Sequence, residues 1–167
     1  MFVQFPAAIM DPLQPIVDIM PYTPSPLSAI DQVRLAKARY CRYLDTRQWD
    51  AFGALFVPAP DIRMIDAAGE LLVSFSAREV FVDAARYYLA GAHSIHQVHN
   101  DELTQVSDSA ISAIWSMEDY IVFPDVADGR PSRHHGYGHY HEDWVLGPDG
   151  WRIASLALRR TILEITP

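Results

Sequence analysis

Two stretches with strand character carry charged side chains where the alternation of faces calls for apolar ones. Between Ile111 and Phe123, the residues Ile111, Ala113, Trp115, Met117, Asp119, Ile121 and Phe123 share one face, because successive strand side chains point to opposite sides. Asp119 therefore sits among six apolar neighbours. An ionised carboxylate in such a setting must be paired or protonated, unless a bulge turns it outward. Near the C-terminus, Ala154, Leu156, Leu158, Arg160 and Ile162 share a face, which sets the Arg160 guanidinium on an apolar wall while Arg159 faces solvent. The competing reading for Arg160 is a snorkelling side chain at a strand end.

Further chemistry-bearing residues lie elsewhere. Tyr40 falls on the apolar stripe formed by Ile30, Val33, Lys37, Tyr40, Cys41 and Leu44. A buried tyrosine needs a single partner for its hydroxyl. Asp45 follows five residues later, about 140° around a helix from Tyr40. The two share a site only if the helix end turns Asp45 inward. His93, His96 and His99 lie in one stretch, His96 facing opposite to the other two; register alone does not choose among them. A second group comprises His134, His135, His139 and His141. His139 and His141 share a face at a spacing metals can use, but no third ligand follows, and a solvated or subunit-facing strand is the preferred reading. A carboxylate, an arginine, a tyrosine and a histidine on inward faces of one small domain are what a pocket with convergent polar groups requires.

These residues need elements to position them. Ser28-Ala29-Ile30-Asp31 resembles a capping box with Asp in place of Glu, so a helix is predicted from Ser28 to about residues 45–47. A short helix is predicted over about residues 50–56, stopped by Pro58 and Pro60. Residues 61–66 and 70–75 read as a hairpin around Ala67-Ala68-Gly69. Ser76-Ala77-Arg78-Glu79 is a capping box opening a third helix over about 77–89. Four strands follow, over 94–106, 111–123, 133–146 and 151–165, with a loop at 124–131 and glycines at 136 and 138 that suit a bend or bulge. Helices early and long strands late predict an α+β fold, a curved antiparallel or mixed sheet wrapped around three N-terminal helices.

Bulk properties narrow the function. The 167 residues, half of them hydrophobic, make one domain. The single cysteine, Cys41, excludes an intrachain disulfide framework. The net charge of −8 argues against nucleic acid and anionic membrane partners, and no stretch approaches the ~20 apolar residues of a membrane span. The proline-broken start lacks a basic region and is a poor signal peptide, so a cytoplasmic location is expected. Half of the 12 prolines fall in residues 1–26. Residues 1–27 read as an arm whose apolar side chains pack along the domain, residues 28–167, or onto a partner subunit.

The chain resembles the SnoaL-like branch of the nuclear-transport-factor-2-like superfamily, which includes ketosteroid isomerases, scytalone dehydratase and polyketide cyclases. The resemblance rests on Tyr40 through Asp45 with Trp49-Asp50, on His96 to Glu102, on Trp115 to Asp119, and on Asp149-Gly150-Trp151-Arg152-Ile153. It covers about residues 28–165. Within the branch the residues are similar to those of the bile-acid 7α-dehydratase family, whose pattern matches at Tyr40, Asp45, Ser94 with His96, Trp115 with Glu118 and Asp119, and Arg160. The resemblance implies a cone-shaped α+β barrel with Tyr40, Asp45, His96, Asp119 and Arg160 as catalytic residues. His96 is then the base or acid, Asp119 holds its ring, Tyr40 donates a proton or hydrogen bond, and Asp45 pairs with Arg160. It implies a dehydratase acting on a hydrophobic alicyclic or steroid-like hydroxy-ketone or enone, with no metal or organic cofactor. The alternatives are an isomerase or polyketide cyclase, and a non-catalytic binding or structural subunit. A homodimer or homotrimer is expected.

Overall fold

The computed structural model describes residues 26–124 and 131–167. The expected arm, save its last two residues, and most of the 124–131 loop lie outside the described residues. Three helices, α1 (Ala29–Asp45), α2 (Trp49–Gly53) and α3 (Arg78–Tyr88), accompany six strands: β1 (Phe56–Ile65), β2 (Leu71–Phe75), β3 (His93–Ser107), β4 (Ala110–Val122), β5 (Arg133–Gly147) and β6 (Gly150–Thr166). The strands form one sheet in the order β2-β1-β6-β5-β4-β3. All neighbours are antiparallel except β1 and β6, which run parallel. The sheet is thus mixed and open, with β2 and β3 at its edges.

Curvature follows from the helix packing. Helix α1 contacts both β3 and β6, while α3 contacts β1 and β2. β3 and β6 stand three strand positions apart, roughly 14 Å in a flat sheet, yet one helix about 10 Å across touches both. The sheet therefore wraps around α1. Ser28 caps that helix as its sequence predicts, accepting from the Asp31 backbone N–H at 3.1 Å and donating to the Asp31 carboxylate at 2.6 Å. On the concave side Tyr40, Phe52, Phe56, Phe81 and Tyr140 pack as an aromatic core.

The same core encloses an ion pair. Lys37 Nζ lies 2.5 Å from Glu142 Oε1, and both side chains are wholly excluded from solvent. Glu142 Oε2 accepts from the indole N–H groups of Trp115 at 2.8 Å and Trp144 at 2.9 Å. The ammonium also lies over the rings of Tyr40 and Tyr140, 3.9 and 3.6 Å from their centroids. Lys37 occupies the apolar stripe of α1 because every valence of its charge is met there.

Three local expectations are corrected. Helix α2 ends at Gly53, and Pro58 and Pro60 lie inside β1. Between the Phe56–Ile153 and Asp61–Ser155 pairings the ladder is interrupted, so the missing proline N–H groups cost no sheet bond. Helix α3 starts one residue later than its box predicts; its N-cap is Ala77, without a side-chain cap, and Glu79 instead pairs with Arg78 at 2.7 Å. The uniform face of β6 is broken twice. Trp144 pairs with Ile153 but Asp143 with Ser155, and Tyr137 pairs with Ile162 but Gly138 with Arg160. Ala154 and Thr161 are the extra residues of two bulges. Leu156, Leu158 and Arg160 keep the inward face, while Ile162 is 51% exposed and Leu163 turns inward in its place. In β4 the alternation holds throughout, and Asp119 is buried with its apolar neighbours.

Candidate active site

Asp45 is the last residue of α1, and its carboxylate reaches the start of β3. It accepts from the Ser94 hydroxyl at 3.0 Å and from the His96 backbone N–H at 2.9 Å. His96 Nδ1 lies 2.6 Å from Asp45 Oδ1. An ionised carboxylate only accepts, so Nδ1 carries a proton, and in the neutral form of the ring Nε2 is left bare for other work. Both side chains are largely buried, 7% and 17% exposed. The turn after Asp45 is fixed by Arg47, whose backbone is left-handed (φ 59°). Its guanidinium donates to the carbonyls of Asp45 at 2.7 Å, Leu89 at 3.3 Å and Ala92. Arg47 thereby ties the end of α1 to the loop that launches β3, the two segments that must meet for Asp45 to reach His96. Tyr40 and Asp45 both face inward despite their angular separation, because the sheet meets α1 from two sides.

The partners expected of these carboxylates are exchanged. His96 and Asp119 are direct register partners on β3 and β4, yet the Asp119 carboxylate does not hold the imidazole. It forms a two-pronged ion pair with Arg160, Oδ1 to Nη1 at 2.9 Å and Oδ2 to Nη2 at 2.5 Å. A guanidinium outcompetes a neutral imidazole for a buried carboxylate because it matches both oxygens and carries the opposite charge. Gly136 makes this possible. It pairs with Asp119 across β4 and β5, and a Cβ at that position would collide with Arg160 Nη1 and lie 2.8 Å from Asp119 Oδ1. Burial works against the Arg160 charge, and the hydrogen bond and negative charge of Asp119, with Tyr140 and Tyr88, together outweigh it and raise its pKa. Asp45 and Arg160, expected as a pair, hold different residues.

His96, Asp119 and Arg160 line a cavity of about 460 Å³ together with Tyr40 and an apolar wall that includes Leu44, Phe81 and Leu158. That volume lies within the usual range of small-molecule sites. Tyr40 is 2% exposed. Burial, and next the Glu142 carboxylate, push its ionisation far above the ordinary phenol range, so its hydroxyl stays protonated. Tyr140, also lining the cavity, is raised by burial and by Tyr40.

Two cavity residues escaped the sequence. His134 is buried, with Nδ1 2.8 Å from the Tyr88 hydroxyl, and both residues line the cavity. The signal was present: His134, Gly136, Gly138, Tyr140, Glu142 and Trp144 are all buried on alternate positions of β5. His139 and His141 lie on the opposite face. His99 is exposed and points away from His96, as alternation predicts. Among the described residues no group of three or more His, Cys, Asp or Glu is placed to hold a metal ion.

The SnoaL-like domain model matches residues 25–157. A curated relative, the probable cyclase FGR4 of Gibberella zeae, is 29% identical over 135 residues, covering 77% of this chain and 88% of the relative. A candidate scytalone dehydratase from Novosphingobium aromaticivorans superposes with a TM-score of 0.69 at 15% identity, covering 81% of this chain and 85% of the other. The β subunit of the benzoate 1,2-dioxygenase of Burkholderia mallei gives a TM-score of 0.66 at 13% identity, covering 81% and 92%. At these identities the structural likenesses establish a shared fold.

Proposed function

We propose that this chain, which belongs to the SnoaL-like domain family, is an acid–base enzyme that dehydrates a hydrophobic alicyclic hydroxy-ketone or enone without a cofactor, with His96 as its proton-transfer group. The observation that carries this reading is the 2.6 Å contact between Asp45 and His96 Nδ1 at the wall of an apolar cavity. A histidine held this way by a carboxylate has its tautomer fixed and its imidazolium stabilised. The bare Nε2 takes the proton from the carbon beside the substrate carbonyl. The electron pair moves into the carbonyl system, and the β-hydroxyl leaves as water with the proton returned from the imidazolium. One water is lost and the imidazole is regenerated. The protonated Tyr40 hydroxyl is a donor for the developing enolate oxygen. The Asp119–Arg160 pair is neutral as a unit and gives the cavity a polar end. A steroid-like ring system is one hydrophobic scaffold of the proposed class.

A second reading has its own support. The likeness to a probable cyclase favours ring closure of a polyketide-like chain, begun by the same proton abstraction without loss of water. The two are separated by incubating the protein with a panel of cyclic β-hydroxy-ketones and linear polyketone analogues, following enone absorbance and product mass. Water loss that falls by about 10²–10⁴-fold in His96→Ala is the expected result. Ring closure at unchanged mass moves the assignment to the cyclase. Saturable binding of the panel with no turnover makes the domain a binding module.

A further inference from the structure

Both histidines of the cavity are fixed by a neighbour, and by different kinds of neighbour. Asp45 accepts from His96 and so leaves its Nε2 bare. His134 meets the Tyr88 hydroxyl, which can donate or accept. The other end of the ring decides between these. His134 Nε2 lies 3.6 Å from Asp119 Oδ1, an oxygen that already accepts from Arg160 Nη1. A bare Nε2 would aim its lone pair at a carboxylate, whereas an N–H there is attracted to it. Tyr88 is therefore the donor to Nδ1, and the proton sits on Nε2. At 3.6 Å that N–H makes no hydrogen bond to Asp119, and Nε2 has no partner although it is fully buried. A buried donor without a partner is destabilising, and an acceptor atom in the cavity would relieve that cost. His134 is also neutral near pH 7: burial lowers its pKa below 6.5, the Asp119 charge opposes this, and Arg160, His96 and His135 reinforce it.

We propose that His134 donates a hydrogen bond from Nε2 to a carbonyl oxygen of the substrate, holding a cyclic ketone or enone with its oxygen at the Asp119–Arg160 end of the cavity. The two imidazoles then have opposite roles, one an acceptor for a proton and the other a donor to oxygen. Their tautomers are set by a carboxylate on one and a phenol on the other. Enolisation would place negative charge on the oxygen that His134 holds, so the same bond strengthens as the proton moves to His96. That last step rests on the acid–base reading above. The hydrogen bond does not.

The test uses 1-tetralone, a hydrophobic cyclic ketone that accepts hydrogen bonds and donates none, so a bare His96 Nε2 cannot hold its oxygen. On binding to the wild-type protein, the infrared C=O stretch is expected to shift to lower frequency. In His134→Phe that shift should shrink, the Tyr40 hydroxyl remaining as the other donor, with affinity about tenfold weaker, the equivalent of ~1.4 kcal/mol. His134→Gln places an amide N–H close to the former Nε2 and should restore the shift. Histidine nitrogen NMR of the wild type reads the tautomer without any substitution, and Nε2–H with bare Nδ1 is expected for His134. No carbonyl shift in the wild type, a shift of undiminished size in His134→Phe, or an Nδ1–H tautomer would each overturn the proposal. A carbonyl shift in a protein that dehydrates nothing would uphold His134 as the donor and reject the dehydratase.

Discussion

Among the described residues, two ion pairs of a lysine or arginine with a carboxylate are buried, and they are finished differently. Lys37 and Glu142 are wholly enclosed, with two indole donors on the carboxylate and two aromatic faces against the ammonium. Nothing is left over, and neither residue lines the 460 Å³ cavity. Asp119 and Arg160 are nearly as buried, 3% and 10% exposed, but they stand at the cavity wall beside a histidine whose Nε2 is unsatisfied. A closed network rigidifies a core. One left open at a cavity keeps a donor available for a ligand, which is the difference between a structural pair and a site.

That contrast can be broken most forcefully at the dyad. His96→Ala and Asp45→Asn should each lower turnover by about 10²–10⁴-fold with the fold intact. The double variant should be little worse than the more impaired single one, because the two act as a unit. Additive losses, measured by steady-state kinetics on a substrate from the panel, would uncouple them. Removing one partner of the enclosed pair should strike stability instead. Lys37→Met leaves Glu142 as an uncompensated buried charge and should cost about 3–5 kcal/mol in urea unfolding, while Lys37→Met with Glu142→Leu should recover much of that loss. A single variant as stable as wild type would show that Glu142 finds protonation or another partner cheaply.

Gly136→Ala probes the open pair. The added methyl group collides with the Arg160 guanidinium, so a loss of about 1–3 kcal/mol is expected, together with weaker 1-tetralone binding. Unchanged stability and binding would mean that Arg160 can pair with Asp119 by another route. The smallest effect is a pH dependence. The folded pKa of His134 is lowered, first by burial. The unfolded chain therefore takes up the proton first as pH falls through about 6.5, and stability is lost on the acidic side until the folded group also titrates. Above that range the term is absent. His134→Phe should flatten the thermal stability profile between about pH 7 and pH 5, with Asp119, Arg160, His96 and Tyr88 still facing the position and His135 next to it on the opposite face of β5. An equally steep acid loss would assign it to other groups.

Much of the frame was legible because strand periodicity and capping are local. The four long strands lie within a residue or two of their predicted limits, and Asp119 and Arg160 stand out as charges on apolar faces through period-two alternation alone. The same rule fails on β6 at Ala154 and Ile162, where each bulge shifts the parity by one. No composition signal marks a bulge when the extra residue is alanine or threonine.

What the chain determines by itself is therefore the order of elements, the inward face of β4, and the presence of charge that must find a partner. Which partner it finds is a tertiary matter. Asp119 has His96 opposite it in the ladder and takes Arg160, because the missing side chain at Gly136 opens a path across β5. Asp45 reaches His96 because Arg47 ties the end of α1 to the start of β3. Lys37 meets Glu142 across 105 residues of chain, and His134 joins the cavity only because the sheet curls around α1. Local rules specify where side chains point along an element. The distance between two elements, and hence every pairing in the site, is set by the packing that brings them together.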